Sequence, residues 1–84
     1  MRSVMFNFRP DVSRLQRTIL LHQIEDWAPV ASAALVDPEA THPEVQRMAF
    51  VYVNDAAAVD AVVNHLNELQ EVEVAFTPAE RWLA

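Results

Sequence analysis

Apolar and polar side chains alternate from the third residue onward: Val4, Phe6 and Phe8 fall on one side, Met5, Asn7 and Arg9 on the other. A period of two carried by aromatic and β-branched residues predicts a strand over 3–9. Pro10-Asp11 breaks it. Ser13 with Gln16 fits a capping box, with Asp11 as a rival cap, and the pattern then changes to helical spacing. Leu15, Ile19, Leu20, Ile24 and Trp27 share one broad helical arc, Leu21 lies off it, and Pro29 ends the helix. An alanine-rich strand is predicted over 29–37, supported by Val30, Leu35 and Val36 and bracketed by Pro29 and Pro38. Residues 38–46, PEATHPEVQ, are a polar connection. Residues 47–54, RMAFVYVN, are the most strongly patterned strand in the chain. Asn54-Asp55 then caps a second helix, in which Val59, Val62, Val63, Leu66 and Leu69 keep i, i+3, i+4 spacing. The last strand is 72–76, with Val72, Val74 and Phe76 alternating with Glu73 and Ala75.

The resulting order, β-α-β-β-α-β, predicts an α+β fold of the ferredoxin-like kind. It is a four-stranded antiparallel sheet with two helices on one face. Right-handed crossovers place the first and third strands in the middle and the second and fourth at the edges. Residues 1–76 form a single domain, and 77–84 an extended C-terminal tail. The halves are related only as two strand-helix-strand units, with no internal repeat.

Such a sheet leaves one face without helices. On the third strand Ala49, Val51 and Val53 are small enough to pack closely beneath helices, which puts Met48, Phe50 and Tyr52 on the open face beside Met5. The opposite register would bury Phe50 and Tyr52 and expose the valines; the first is preferred. In either register the strand is apolar on both sides, which implies that both sides are covered.

Composition narrows the function classes. The chain has 84 residues, enough for one modest core, and is 52% hydrophobic and 21% charged. Its net charge is −6 with only 6 Lys+Arg, a poor balance for binding nucleic acid. There is no cysteine, hence no disulfide or thiolate chemistry, and no glycine, hence no glycine-rich phosphate loop or nucleophile elbow. No apolar run is long enough for a membrane span. The opening MRSVMFNFRPDV lacks a signal-peptide pattern, which makes the cytoplasm the expected compartment. His22, His42 and His65 are not spaced as a metal set, and the i, i+3 pair His65 and Glu68 reads as a solvated contact. The loop DPEATHPE gathers Asp37, Glu39, His42 and Glu44, either as a soluble connection or as acidic groups able to cap helix N-termini on a partner. No cofactor, metal or catalytic residue is expected, and the chain reads as non-enzymatic.

The stretch VNDAAAVDAVVNHLNELQEVEVAFTPAERWLA resembles the second half of the subtilisin propeptide-like peptidase inhibitor family. Leu66, Leu69 and Val72 match its helix-to-strand pattern, Val74-Ala75-Phe76 its last strand, and Pro78, Glu80 and Arg81 its tail. The motif similarity covers about residues 50–84. The resemblance implies an inhibitor or folding chaperone of a subtilisin-like serine protease, and a stand-alone one, since no protease follows Ala84. It would assign Met5, Met48, Phe50 and Tyr52 to the enzyme-facing sheet patch. Asp37, Glu39 and Glu44 would serve in helix capping. Thr77, Pro78, Ala79, Glu80, Arg81, Trp82, Leu83 and Ala84 would lie product-like in the substrate cleft. Apart from the resemblance, Trp82 could equally fold back onto the sheet.

Two alternatives follow from the same pattern. VMFNFRPDVS is similar to the opening of the stress-responsive dimeric α/β-barrel proteins, in which two open sheet faces meet. A small-ligand regulatory module of the ACT type is the other, although such modules favour glycine where this chain has Arg9-Pro10-Asp11. The expected partners are accordingly a protease, with the free chain a monomer, or a second copy through the open face, with no nucleic acid and no membrane.

Overall fold

Strands β1 (Arg2–Phe8), β2 (Val30–Leu35), β3 (Met48–Val53) and β4 (Val72–Phe76) form one antiparallel sheet in the computed structural model, which describes residues 2–37 and 39–77. Their order is β2-β3-β1-β4, so the first and third strands are central. Helices α1 (Arg14–Glu25) and α3 (Val59–Asn67) join a single core cluster with one face of the sheet, giving an α+β fold with an open antiparallel sheet. Two elements go beyond the expected order. A four-residue helix, α2 (Pro43–Gln46), stands in the connection before β3, and a 3-10 turn (Ala56–Ala58) precedes α3. Both follow from local capping: His42 Nδ1 accepts from Glu44 N at 3.3 Å with Pro43 in the first turn, and Asp55 Oδ1 accepts from Ala57 N at 2.9 Å.

The central strands follow the alternation in the sequence. Val4, Phe6 and Phe8 of β1 and Ala49, Val51 and Val53 of β3 are all fully buried beneath the helices. Phe6 and Phe8 meet edge to face with centroids 5.0 Å apart. In α3, Val62 and Leu66 are buried and Val59, Val63 and Leu69 pack around them.

The first helix corrects the arc read from its sequence. Leu20, Leu21 and Ile24 are its buried residues, whereas Leu15 is 69% and Ile19 48% exposed. At about 100° per residue, Leu20 and Ile24 can anchor an arc that continues toward Leu21 or one that continues toward Ile19 and Leu15. Both directions are apolar, so spacing alone does not choose between them. The helix turns Leu21 to the sheet and leaves Leu15 and Ile19 on its outer side. The helix also stops at Glu25, two residues before the end expected at Trp27, because Asp26 N–H and Trp27 N–H close it with bonds to Gln23 O and Ile24 O at 3.2 and 3.0 Å.

The passage from each helix into its edge strand repeats residue for residue, although no repeat is visible in the sequence. Ile24 and Leu66 are the last buried helical residues, and Trp27 and Leu69 accept the bonds from Val30 N–H and Val72 N–H that start the strands. Each edge strand then slips register once, between Val30 and Ser32 against β3 and opposite Asn7/Phe8 for Val72 and Val74. Finally the last residue of each helix reaches the edge strand eight residues on. Asn67 Oδ1 accepts from Ala75 N at 2.9 Å while its Nδ2 donates to Ala75 O at 3.3 Å, and Glu25 Oε2 accepts from Ala33 N at 3.5 Å. Asn67 therefore occupies both backbone groups that a further strand would need at Ala75, and Glu25 covers the matching N–H on the other edge. None of the described residues has positive φ, so every described turn is made without the left-handed conformation that glycine would supply.

Two stability predictions follow. Leu21→Ala should cost about 2–4 kcal/mol in urea unfolding while Leu15→Ala changes stability by about 0.5 kcal/mol or less. Asn67→Ala should cost about 1 kcal/mol and speed hydrogen exchange at the Ala75 amide, with Glu25→Ala costing less because its bond is at the distance limit.

Candidate functional site

The open face is built from the residues that alternate with the core of β1 and β3. Register places them in rows running across the sheet. One row joins Ala34, Phe50, Met5 and Phe76 from edge to edge. Beside it Met48, Asn7 and Val74 form a second row, with Val36 alongside where its N–H donates to Met48 O at 2.9 Å. Ser32, Tyr52 and Ser3 form a third. No position in these rows is charged, in a chain that is 21% charged. Phe50 and Tyr52 meet edge to face with centroids 5.0 Å apart, and Tyr52, Val74 and Val36 are each 40% exposed or slightly more. Apolar residues standing side by side in these rows, rather than scattered singly, make a contiguous uncharged surface.

Met5, Met48, Phe50 and Tyr52 all stand on this face, in the preferred register. Val74 and Phe76 also belong to it and were not assigned there. Strict alternation over 72–76 would keep Val72, Val74 and Phe76 on one side. The extra residue at Glu73 instead sends Val72 and Ala75 to the core and Val74 and Phe76 to the open side. A bulge of this kind leaves no mark in apolar spacing; the lone charge in the strand, Glu73, coincides with it.

The other candidates are dispersed. Asp37, Glu39 and Glu44 are exposed in the connection after β2, where Asp37 Oδ1 accepts from Glu39 N at 3.2 Å and Glu44 sits in the first turn of α2. Thr77 follows β4 directly, and Pro78, Ala79, Glu80, Arg81, Trp82, Leu83 and Ala84 lie outside the described residues. The histidines occupy three separate settings. His22 is 3.6 Å from Glu25, His42 caps α2, and His65 stacks on Trp27 with centroids 4.0 Å apart, tying the end of α1 to α3. Among the described residues no group of three or more His, Cys, Asp or Glu could hold a metal ion, and no helix is long and apolar enough to cross a membrane.

In the second row a polar group stands between apolar neighbours. Asn7 Oδ1, flanked across the strands by Met48 and Val74, is enclosed and has no hydrogen-bond partner. An unpaired buried acceptor costs about 1–3 kcal/mol, so Asn7→Leu should raise stability by about 1 kcal/mol in chemical denaturation. No protein-family model matches the chain, and no curated protein matches it.

Proposed function

We propose that this chain is a ferredoxin-like partner-docking domain that acts as a stand-alone, propeptide-like inhibitor or folding chaperone of a subtilisin-type serine protease. The observation that carries the reading is the uncharged open face, whose central row spans the sheet from Ala34 through Phe50 and Met5 to Phe76. Burying such a face against apolar helices of an enzyme removes it from water without stranding a charge. The sealed groups at Ala75 and Ala33 favour docking through the face over strand addition at the edges. Thr77 leaves the β4 edge next to that face, which suits residues 77–84 to entering a neighbouring cleft while the sheet is docked. The acidic connection at Asp37, Glu39 and Glu44 follows the opposite edge strand, within reach of helix N-termini on the same partner.

A second reading draws on the same absence of charge. Two copies of an uncharged face meet without repulsion, so a homodimer of the α/β-barrel type would also cover it.

Inhibition of a panel of subtilisin-like proteases by the intact chain, a chain lacking 77–84, and Phe50→Glu separates the two. The expected outcome is inhibition by the intact chain, lost by about tenfold or more in both variants while each stays folded by circular dichroism. No inhibition across the panel, together with a stable dimer in sedimentation that Phe50→Glu dissociates, would replace the inhibitor with the dimer.

A further inference from the structure

Both methionines among the described residues, Met5 and Met48, stand on the open face. Register pairs Met5 with Phe50 on one side and Phe76 on the other, in the middle of the row that crosses the sheet. Met48 lies opposite Asn7, which follows Met5 on the same side of β1, so the two methionines are diagonal neighbours across the central strands. Each is half-buried, whereas Val4, Phe6, Ala49 and Val51 beside them in the strands are fully covered by the helices.

A thioether is apolar enough to serve in such a row, yet a peroxide turns it polar. The sulfur lone pair attacks one oxygen of hydrogen peroxide, the O–O bond breaks, an S–O bond forms, and the other oxygen leaves as water. Sulfur is oxidised by two electrons and the peroxide reduced by two. The sulfoxide oxygen is a hydrogen-bond acceptor, and the neighbours of Met5 in its row, Ala34, Phe50 and Phe76, have no side-chain donor for it. On the open face water supplies the donor. Covering the face removes that water and strands the acceptor, close to Asn7 Oδ1, which already lacks a partner. We propose that Met5 and Met48 form a reversible modification site, oxidised to sulfoxides by peroxide, that releases the open face from its partner. The proposal rests on the reading of that face as the docking surface. A dithiol reductant resets the site: it becomes a disulfide, and the sulfoxide oxygen leaves as water.

The test treats the intact, folded chain with hydrogen peroxide and maps sulfoxides by peptide mass spectrometry. Two properties are then compared with the untreated chain: retention on a phenyl-substituted column and inhibition of the protease panel. Met5 and Met48 should oxidise in the folded chain at rates comparable with those in urea, with circular dichroism unchanged and phenyl retention lowered. Inhibition should weaken by about tenfold or more, the effect of one unpaired acceptor in an interface. Enzymatic reduction of the sulfoxides should restore both properties. A variant carrying Met5→Leu and Met48→Leu, whatever its starting retention, should show no change on treatment. If the untreated chain inhibits no protease, the protease reading has failed, and the mapping and retention results decide the site without it. Methionines that resist peroxide until the chain unfolds, sulfoxides that leave retention unchanged, or an equal drop in the double variant would overturn the proposal. Restoration by reduction, in the wild-type chain, decides the matter if the double variant fails to fold.

Discussion

Two central strands, each with six or seven residues, set nearly everything else in this molecule. Burying Val4, Phe6 and Phe8 with Ala49, Val51 and Val53 uses every second position of β1 and β3. The intervening positions are then committed to the other side of the sheet, whatever their chemistry. Because those positions are Ser3, Met5 and Asn7 in β1 and Met48, Phe50 and Tyr52 in β3, a core that satisfies the helices creates an uncharged, largely apolar face without helices. The open face and the hydrophobic core are the two sides of one alternation.

That alternation is why the centre of the fold was legible and the periphery was not. β1 and α3 each have one clearly apolar side, and β3, apolar on both, puts the smaller Ala49, Val51 and Val53 beneath the helices, so their buried residues fall where the preferred pattern puts them. In α1 two directions around the helix are apolar, and only the contact with the sheet chooses Leu21 over Ile19. At the edges, the bulges after Val30 and Val72 change which side a residue faces by adding one residue to a ladder. This is why Val74 and Phe76 were missing from the open face as read from the sequence. α2 escaped notice because its four residues carry no apolar period, only a proline and a histidine cap.

The matched helix-to-edge passages add a kind of order that amino-acid identity conceals. Glu25 and Asn67 differ in charge, and Trp27 and Leu69 in size, yet each pair performs the same task at the same step. What repeats is a set of hydrogen-bonding and packing duties rather than residue types. The electrostatics do not share this symmetry: the arginines collect at the start of α1, while the corresponding start of α3 has Asp60.

The side chains bonded to the edge strands also oppose open-ended growth of the sheet. A sheet whose edges accept further strands can be extended from both sides indefinitely, which is how fibres grow. Here the outward groups at Ala75 are taken by Asn67, and Ala33 N–H is covered by Glu25, so strand-by-strand growth meets an occupied group on each edge. Under the docking proposed above, it is the open face that is covered, and association ends at a pair rather than a fibre.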